Sequence, residues 1–384
     1  GKHRDAVCEA RWEEPSHTSL SVVRHTASSV RRMRITGVDI FHQHQPFTRG
    51  TYKMHHGTAD GNDSYVVELH TASGHTGVGE CAMLGGFYSE AFPSGTAAGL
   101  LELAPTVMGL DARQPRLLNR MLSLVFRGQE YVKTALDIAA WDLASSIADV
   151  TLCDMLGGRH SDSVAAYNVV IPGGTDAEAA TLARTLVAEG YRRLQVKVGT
   201  TPEADAHRLH VVRDAVGSDI VLYADANGGF SVSSARQFLR LVDDVEFTFE
   251  QPCATLDECL LLRPHCTHPM VLDESIETLA DLLRAHRGGA ADGITIKLGR
   301  VGGITEASLI RDVAIELGVH VSVESIGGAS INTAAYTHVA VGVPDHLAGH
   351  TVDFPSWVTV DNASGLPRLA NGRQPLPTGA AGLG

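Results

Sequence analysis

Five apolar runs in this chain each end in one charged side chain. They are Lys197 in LQVKVG, Asp225 in IVLYADAN, Glu250 in FTFEQP, Asp273 in MVLDES and Lys297 in GITIKLG. A short apolar, β-branched run bounded by polar residues reads as a buried strand of a parallel sheet. A charge at its carboxyl end stands where barrel enzymes keep their reacting groups. Three carboxylates on consecutive strand ends repel one another unless a cation lies between them. Such hard oxygen donors suit Mg²⁺. Each carboxylate taken singly could instead cap the helix that follows, as Asp often does. Three in succession, each directly after a strand, favour the metal.

The two lysines complete the set. An amine at the end of a buried strand is costly unless it is paired or used. Strands two and six of an eight-stranded barrel face each other, so Lys197 and Lys297 flank the metal from opposite sides. A dication and a second ammonium would draw their pKa values toward neutrality, which suits a pair of general bases and acids. The chemistry is abstraction of a proton α to a carboxylate, with metal charge stabilising the enediolate. Return of the proton on the other face is racemisation or epimerisation, and departure of a β-hydroxyl is dehydration.

The elements that must position these groups follow a repeat. From residue 161 to 350 strand and helix patterns alternate, with seven strand–helix units and an eighth strand near HLAGHTVDF. This is α/β text, a modified TIM-type (β/α)7β barrel. Residues 33–160 form an α+β capping domain. Its strands meander with a hairpin at Ser73-Gly74, and a helical block carries Val132, Leu136, Ala139, Ala140, Leu143 and Ile147 on one face until Gly157-Gly158. Between its strands, the Gly-containing stretch from 48 to 63 has no core of its own and reads as a lid loop. A second Gly-rich stretch holds Tyr88. Residues 351–384 read as a strap returning to the capping domain. Residues 1–32 are polar, without the apolar stretch of a secretory signal, and read as an extension before a fold that begins near Met33.

Composition narrows the partners. The 384 residues carry a net charge of −13, which disfavours nucleic acid and anionic membranes. No apolar run approaches the roughly 20 residues that span a bilayer. Six scattered cysteines without CxxC spacing read as reduced thiols of a cytoplasmic protein rather than zinc ligands or disulfides. The expected partner is a small-molecule carboxylate.

These residues resemble the enolase superfamily in its muconate lactonizing enzyme-like subgroup, over residues 33–384. Lys197 is similar to the second lysine of the subgroup's KxK motif. Asp225 with Asn227, Glu250 in EQP and Asp273 with Glu274 resemble its metal-ligand positions. Lys297 in KLGRVGG resembles its sixth-strand lysine, and TALDIAAWDLAS resembles its helix beside the barrel. The resemblance implies Mg²⁺ as cofactor and a homo-oligomer. One departure stands out, Gln195 in place of the first lysine of KxK. The stretches YRRLQVKVG, EQPCATLDEC and LGGFYSEAF resemble the branch acting on proline derivatives, whose reactions are dehydration of cis-3-hydroxy-L-proline and 2-epimerisation of hydroxyproline betaine. Dehydration stands slightly ahead.

Lesser candidates surround this set. Asn227 supports a ligand, and Glu274 points toward the barrel wall and a lysine. Glu324 ends strand seven beside the metal or the leaving group, or belongs to a structural network. Tyr52, His55, His56 and Tyr88 are candidate substrate-pocket residues, although loop residues of this kind are more often ordinary surface. A sugar-acid dehydratase would carry a histidine on strand seven paired with an aspartate on strand six, where this chain has Glu324 and Lys297. A non-catalytic binding protein would have no use for both lysines.

Overall fold

The computed structural model describes residues 18–23, 32–54, 57–170 and 175–384. The first unit is built on an antiparallel sheet and helices. Its elements are β1 (Thr18–Val23), β2 (Ile35–Pro46), a small hairpin of β3 (Tyr52–Lys53) and β4 (Thr58–Ala59), β5 (Gly61–Thr71) and β6 (Thr76–Met83). The helices are α1 (Pro93–Val107), α2 (Pro115–Val125), α3 (Glu130–Ala148) and α4 (Leu152–Met155). The sheet runs β1-β2-β5-β6. Two expectations change here. Residues 18–23, read as part of an extension, pair antiparallel with β2 from Gly37 to His42. The stretch read as a loose lid contains the β3–β4 hairpin, which buries Tyr52 and Met54.

Helix α3 lies flat on β6. A Cβ on Gly79 would stand 2.1 Å from the Ala135 carbonyl oxygen, so only glycine permits that approach. The predicted apolar face (Val132, Leu136, Ala139, Ala140, Leu143) packs in the core of the first unit. The opposite side is buried as well, since Ile138 and Trp141 belong to the barrel core. Every residue from 131 to 145 is buried, so α3 is a shared wall rather than an amphipathic surface helix. It ends at Asp149 in a left-handed conformation, before the glycine pair expected to stop it.

The barrel follows as β7 (Ser163–Val170) and α5 (Asp176–Ala188), β8 (Arg193–Lys197) and α6 (Pro202–Val216), β9 (Val221–Asp225) and α7 (Val232–Leu241). Then come β10 (Thr248–Glu250) and α8 (Leu256–Leu262), β11 (Met270–Leu272) and α9 (Leu279–Arg287). The last units are β12 (Gly293–Lys297) with α10 (Leu298–Val301) and α11 (Ile304–Glu316), β13 (His320–Glu324) with α12 (Ser330–Ala340), and β14 (Thr351–Val352). The parallel strands run β13-β12-β11-β10-β9-β8-β7-β14. The ring nearly closes where Val321 N and Val323 N of β13 donate to Leu347 O and His350 O, just before β14. Capping boxes at Thr175, Thr255 and Thr278 start α5, α8 and α9 a few residues after their strands. Thr351 and Val352 are thus the eighth strand expected near HLAGHTVDF, at the point where the strap begins. The tail beyond them adds β15 (Arg373–Pro375) antiparallel to β7, and Leu383 N donates to Asp142 of α3 at 2.8 Å. Among the described residues no helix is long and apolar enough to cross a membrane.

Candidate active site

Strand register brings the charged ends level. Lys197 pairs with Asp225, Asp225 with Glu250, and Lys297 with Glu324. Asp273 follows β11 directly. Around the ring three strands separate β8 from β12 in either direction, so the two lysines come from opposite staves. Lys197, Asp225, Glu250, Asp273, Lys297 and Glu324 are all buried.

Each carboxylate has its own partner. Lys197 Nζ lies 2.5 Å from Asp225 Oδ2 and donates to Asn227 Oδ1 at 3.0 Å. Glu250 accepts from Gln195 Nε2 at 2.9 Å and from Thr295 Oγ1 at 3.3 Å. Asp273 is held by Lys297 Nζ at 2.8 Å and Arg300 Nη1 at 2.5 Å. Lys297 also reaches Tyr88 Oη at 2.6 Å and Glu324 Oε1 at 3.2 Å. Asn227 and Gln251 sit just past their strands at φ 44° and 33°, a left-handed conformation uncommon for such residues. Their side chains explain it. Asn227 spans Lys197 and Glu274, and Gln251 Oε1 accepts from the backbone N–H of Asp273 and Ser275.

The electrostatics follow from crowding. Burial and the neighbouring Asp225 and Asp273 push the Glu250 carboxyl well above its ordinary range. Burial would raise Asp273 too, but Arg300 and Lys297 outweigh it and hold that carboxyl at about 2. Burial and Asp273 push Glu274 up to about 7. Burial opposes both ammonium groups, but Asp225, Tyr52 and Glu250 around Lys197, and Asp273, Tyr88 and Glu324 around Lys297, hold them well above the usual lysine value. The amines rest on the acids, which is why they stay charged.

The all-oxygen donor set, crowded enough to push the Glu250 carboxyl up, fits a hard dication held by Asp225, Glu250 and Asp273. The three are drawn toward their separate partners. The described cluster whose potential ligand atoms all lie within 4.8 Å of one another is a different one, Asp39, Glu68 and His70 on the capping sheet. That group is half-exposed, and His70 already pairs with Asp39 at 2.9 Å.

A narrow cavity opens over the lysines, lined by Tyr52, Tyr88, Tyr167, Gln195, Lys197, Asp225, Lys297 and Glu324. Tyr52 and Tyr88 therefore sit at the site, with their rings 5.7 Å from Lys197 Nζ and 5.2 Å from Lys297 Nζ. His55 and His56 lie outside the described residues. Glu274 corrects another expectation, because it pairs with the Asn227 amide at 2.9 Å rather than with a lysine. Sequence reasoning missed Arg300, three residues past Lys297, and the aromatic wall of Phe47, Phe354 and Trp357. Trp357 stands 5.4 Å from the Tyr52 ring. A larger cavity of about 270 Å³ shares Phe47, Tyr52 and Trp357 but contains none of the paired acids.

Comparison with known proteins agrees with this geometry. Residues 178–384 match the enolase C-terminal domain-like family, and residues 35–157 match the N-terminal domain of mandelate racemase/muconate lactonizing enzymes. The chain is 35% identical to cis-3-hydroxy-L-proline dehydratase of Roseibium aggregatum, over 89% of this chain and 93% of that protein. It is 28% identical to D-Ala-D/L-Ala epimerase of Cytophaga hutchinsonii, over 82% and 85%. A solved member of the enolase superfamily from Roseovarius nubinhibens ISM, complexed with magnesium, superposes with a TM-score of 0.84 at 30% identity, over 91% of this chain and 95% of the other. The chain belongs to the mandelate racemase/muconate lactonizing enzyme family of the enolase superfamily, and it is a lyase or isomerase of that superfamily.

Proposed function

We propose that the protein removes the α-proton of an amino acid-like carboxylate with Mg²⁺ as cofactor, and that its reaction is dehydration of a hydroxyproline of the cis-3-hydroxy-L-proline type. The observation that carries the reading is the pair of buried lysines on opposed strands, with the acids between them. A bound dication supplies positive charge against the substrate carboxylate as its α-carbon becomes electron-rich. The chain's own residues do the rest. One lysine, as the neutral amine, takes the α-proton and the other, as an ammonium on the opposite face, gives a proton to the departing hydroxyl, which leaves as water. Tyr88 and Glu324 hold Lys297, and Asp225 and Asn227 hold Lys197, so each amine has a fixed direction. The aromatic wall keeps water from the carbanionic centre. Similarity to the Roseibium dehydratase supports the substrate class.

Epimerisation of a proline derivative or another amino acid is the second reading. A lysine on each face supports it equally, and an epimerase is among the relatives. Incubation of proline and hydroxyproline stereoisomers with enzyme and Mg²⁺ in D₂O separates the two. Dehydration gives a product lighter by one water, whereas epimerisation gives α-deuterated substrate of inverted configuration. Absence of both from every α-amino acid tried would reject the reading.

A further inference from the structure

Two buried acceptors in the cavity have no donor. Gln195 spends its amide N–H on Glu250, which leaves Gln195 Oε1 without a partner. Glu324 spends Oε1 on Lys297, which leaves Glu324 Oε2 without a partner. Both side chains line the cavity that holds the two lysines, and they are 3% and 2% exposed. A buried acceptor left unpaired is costly, so a pair of them in a reaction cavity calls for a ligand that donates. The nearby charged donors are already committed, which leaves the Tyr167 hydroxyl in the same cavity wall to compete for Glu324 and no charged donor for Gln195. Lys197 goes to Asp225 and Asn227, Lys297 to Asp273, Glu324 Oε1 and Tyr88, and Arg300 to Asp273.

We infer that Gln195 Oε1 and Glu324 Oε2 recognise the N–H groups of a protonated amine on the substrate's α-carbon, so that the site selects free secondary or primary α-ammonium acids over quaternary and N-acylated ones. This rests on the α-amino carboxylate reading above and narrows it. The amine is bonded to the same carbon that stands between the lysines, which puts its hydrogens within the cavity. A cyclic secondary ammonium carries two N–H donors, one for each acceptor. A betaine carries the same charge and no donor. N-acylation of such a ring nitrogen removes both the donors and the charge. Gln195 thereby gains a role that a lysine at that position would exclude, since an ammonium offers no acceptor.

The test is titration calorimetry on the full chain in saturating Mg²⁺ with L-proline, N-methyl-L-proline, N,N-dimethyl-L-proline and cyclopentanecarboxylate. The dimethyl compound keeps the charge and loses the N–H groups, while the carbocycle loses them without added bulk. Affinity is expected to fall stepwise with the number of N–H groups, by about 10-fold or more on losing the last one. Gln195→Met is expected to weaken L-proline and flatten the series. The inference is overturned if N,N-dimethyl-L-proline or cyclopentanecarboxylate binds as tightly as L-proline, or if none of the four binds. It is equally overturned if the series is unchanged in a folded Gln195→Met. Deuterium exchange run alongside keeps the two claims separate. Exchange without the ranking sinks this inference alone, and the ranking without exchange from any acid sinks the reaction reading alone.

Discussion

Asp137 offers a sharp test of how the first unit supports the barrel. It is fully buried in α3, and its partners are Asn119 of α2 and Thr305 at the start of α11, the longer helix after the Lys297 strand. Its Oδ1 accepts from Thr305 Oγ1 at 2.6 Å and Asn119 Nδ2 at 2.9 Å, and its Oδ2 accepts from Thr305 N at 2.9 Å. Helix α11 has no side-chain cap of its own. Burial pushes the Asp137 carboxyl up to about 6. The folded protein thus keeps this proton to about pH 6, whereas an unfolded chain releases it near pH 4. In between, the native state binds more protons, so the stability this group contributes falls as pH rises from 4 to 6 and is level above. Two pKa units correspond to about 3 kcal/mol. Asp137→Asn removes that ionisation cost but turns an NH₂ toward the Thr305 N–H, a mismatch of about 1–3 kcal/mol. The variant is therefore expected to be less stable than the parent at pH 4.5 and close to it at pH 7.5. Paired urea unfolding curves across that range, at one protein concentration, measure the difference. A gap between the two proteins that stays constant with pH would refute the argument.

Other expectations can be checked on the same material. Lys197→Ala and Lys297→Ala should each lower α-deuterium exchange by at least about 100-fold with circular dichroism unchanged, and near-parental exchange in either would remove that lysine from the chemistry. Arg300→Met should cost about 3–5 kcal/mol, because Asp273 keeps only Lys297 in a buried site, and an unchanged melting temperature would contradict this. Chelation should abolish turnover and Mg²⁺ should restore it while raising the melting temperature, whereas full activity in chelator would exclude the dication.

The charged strand ends were legible because a buried parallel strand is almost wholly apolar, so one Lys, Asp or Glu at its close cannot be incidental. TALDIAAWDLAS was legible as a resemblance, and the structure supplies its physics. Asp137 caps α11, and Asp142 binds Val78 N and Leu383 N, joining β6 to the tail. Arg300 was not legible, because an arginine on a short helix after a strand looks like any solvated residue until Asp273 is found beside it. The aromatic wall was hidden for a different reason. Phe47 and Tyr52 come from the first unit and Phe354 and Trp357 from beyond β14, so no local pattern links them.

The barrel divides by how its helices begin. Helices α5, α7, α8 and α9 are capped by their own Thr175, Ser231, Thr255 and Thr278. Helices α11 and α12, which follow the Lys297 and Glu324 strands, have no such cap. The first unit supplies it instead. Asp137 serves α11, and Glu80 of β6 serves α12 by accepting from Asn332 N at 2.9 Å and Ala329 N at 3.2 Å, while Ser64 Oγ of β5 donates to the same carboxylate at 2.7 Å. Thr134 Oγ1 further holds Leu298 O, the residue after Lys297, at 3.0 Å. The helix starts beside Lys297 and Glu324 are thus held by both units, whereas α6, after the Lys197 strand, has no side-chain cap and instead has Asp205 of its own first turn accepting from Gly199 N and Thr200 N. Replacing Thr278 by Ala frees donors that water can reach, at a cost of about 1 kcal/mol. Replacing Glu80 by Ala strands three buried donors, at about 1–3 kcal/mol each before relaxation. The second change should therefore lower the melting temperature several-fold more than the first, and it should lower turnover through Glu324 and Lys297. Equal effects would mean that the capping unit merely covers the barrel and does not hold its reacting side in place.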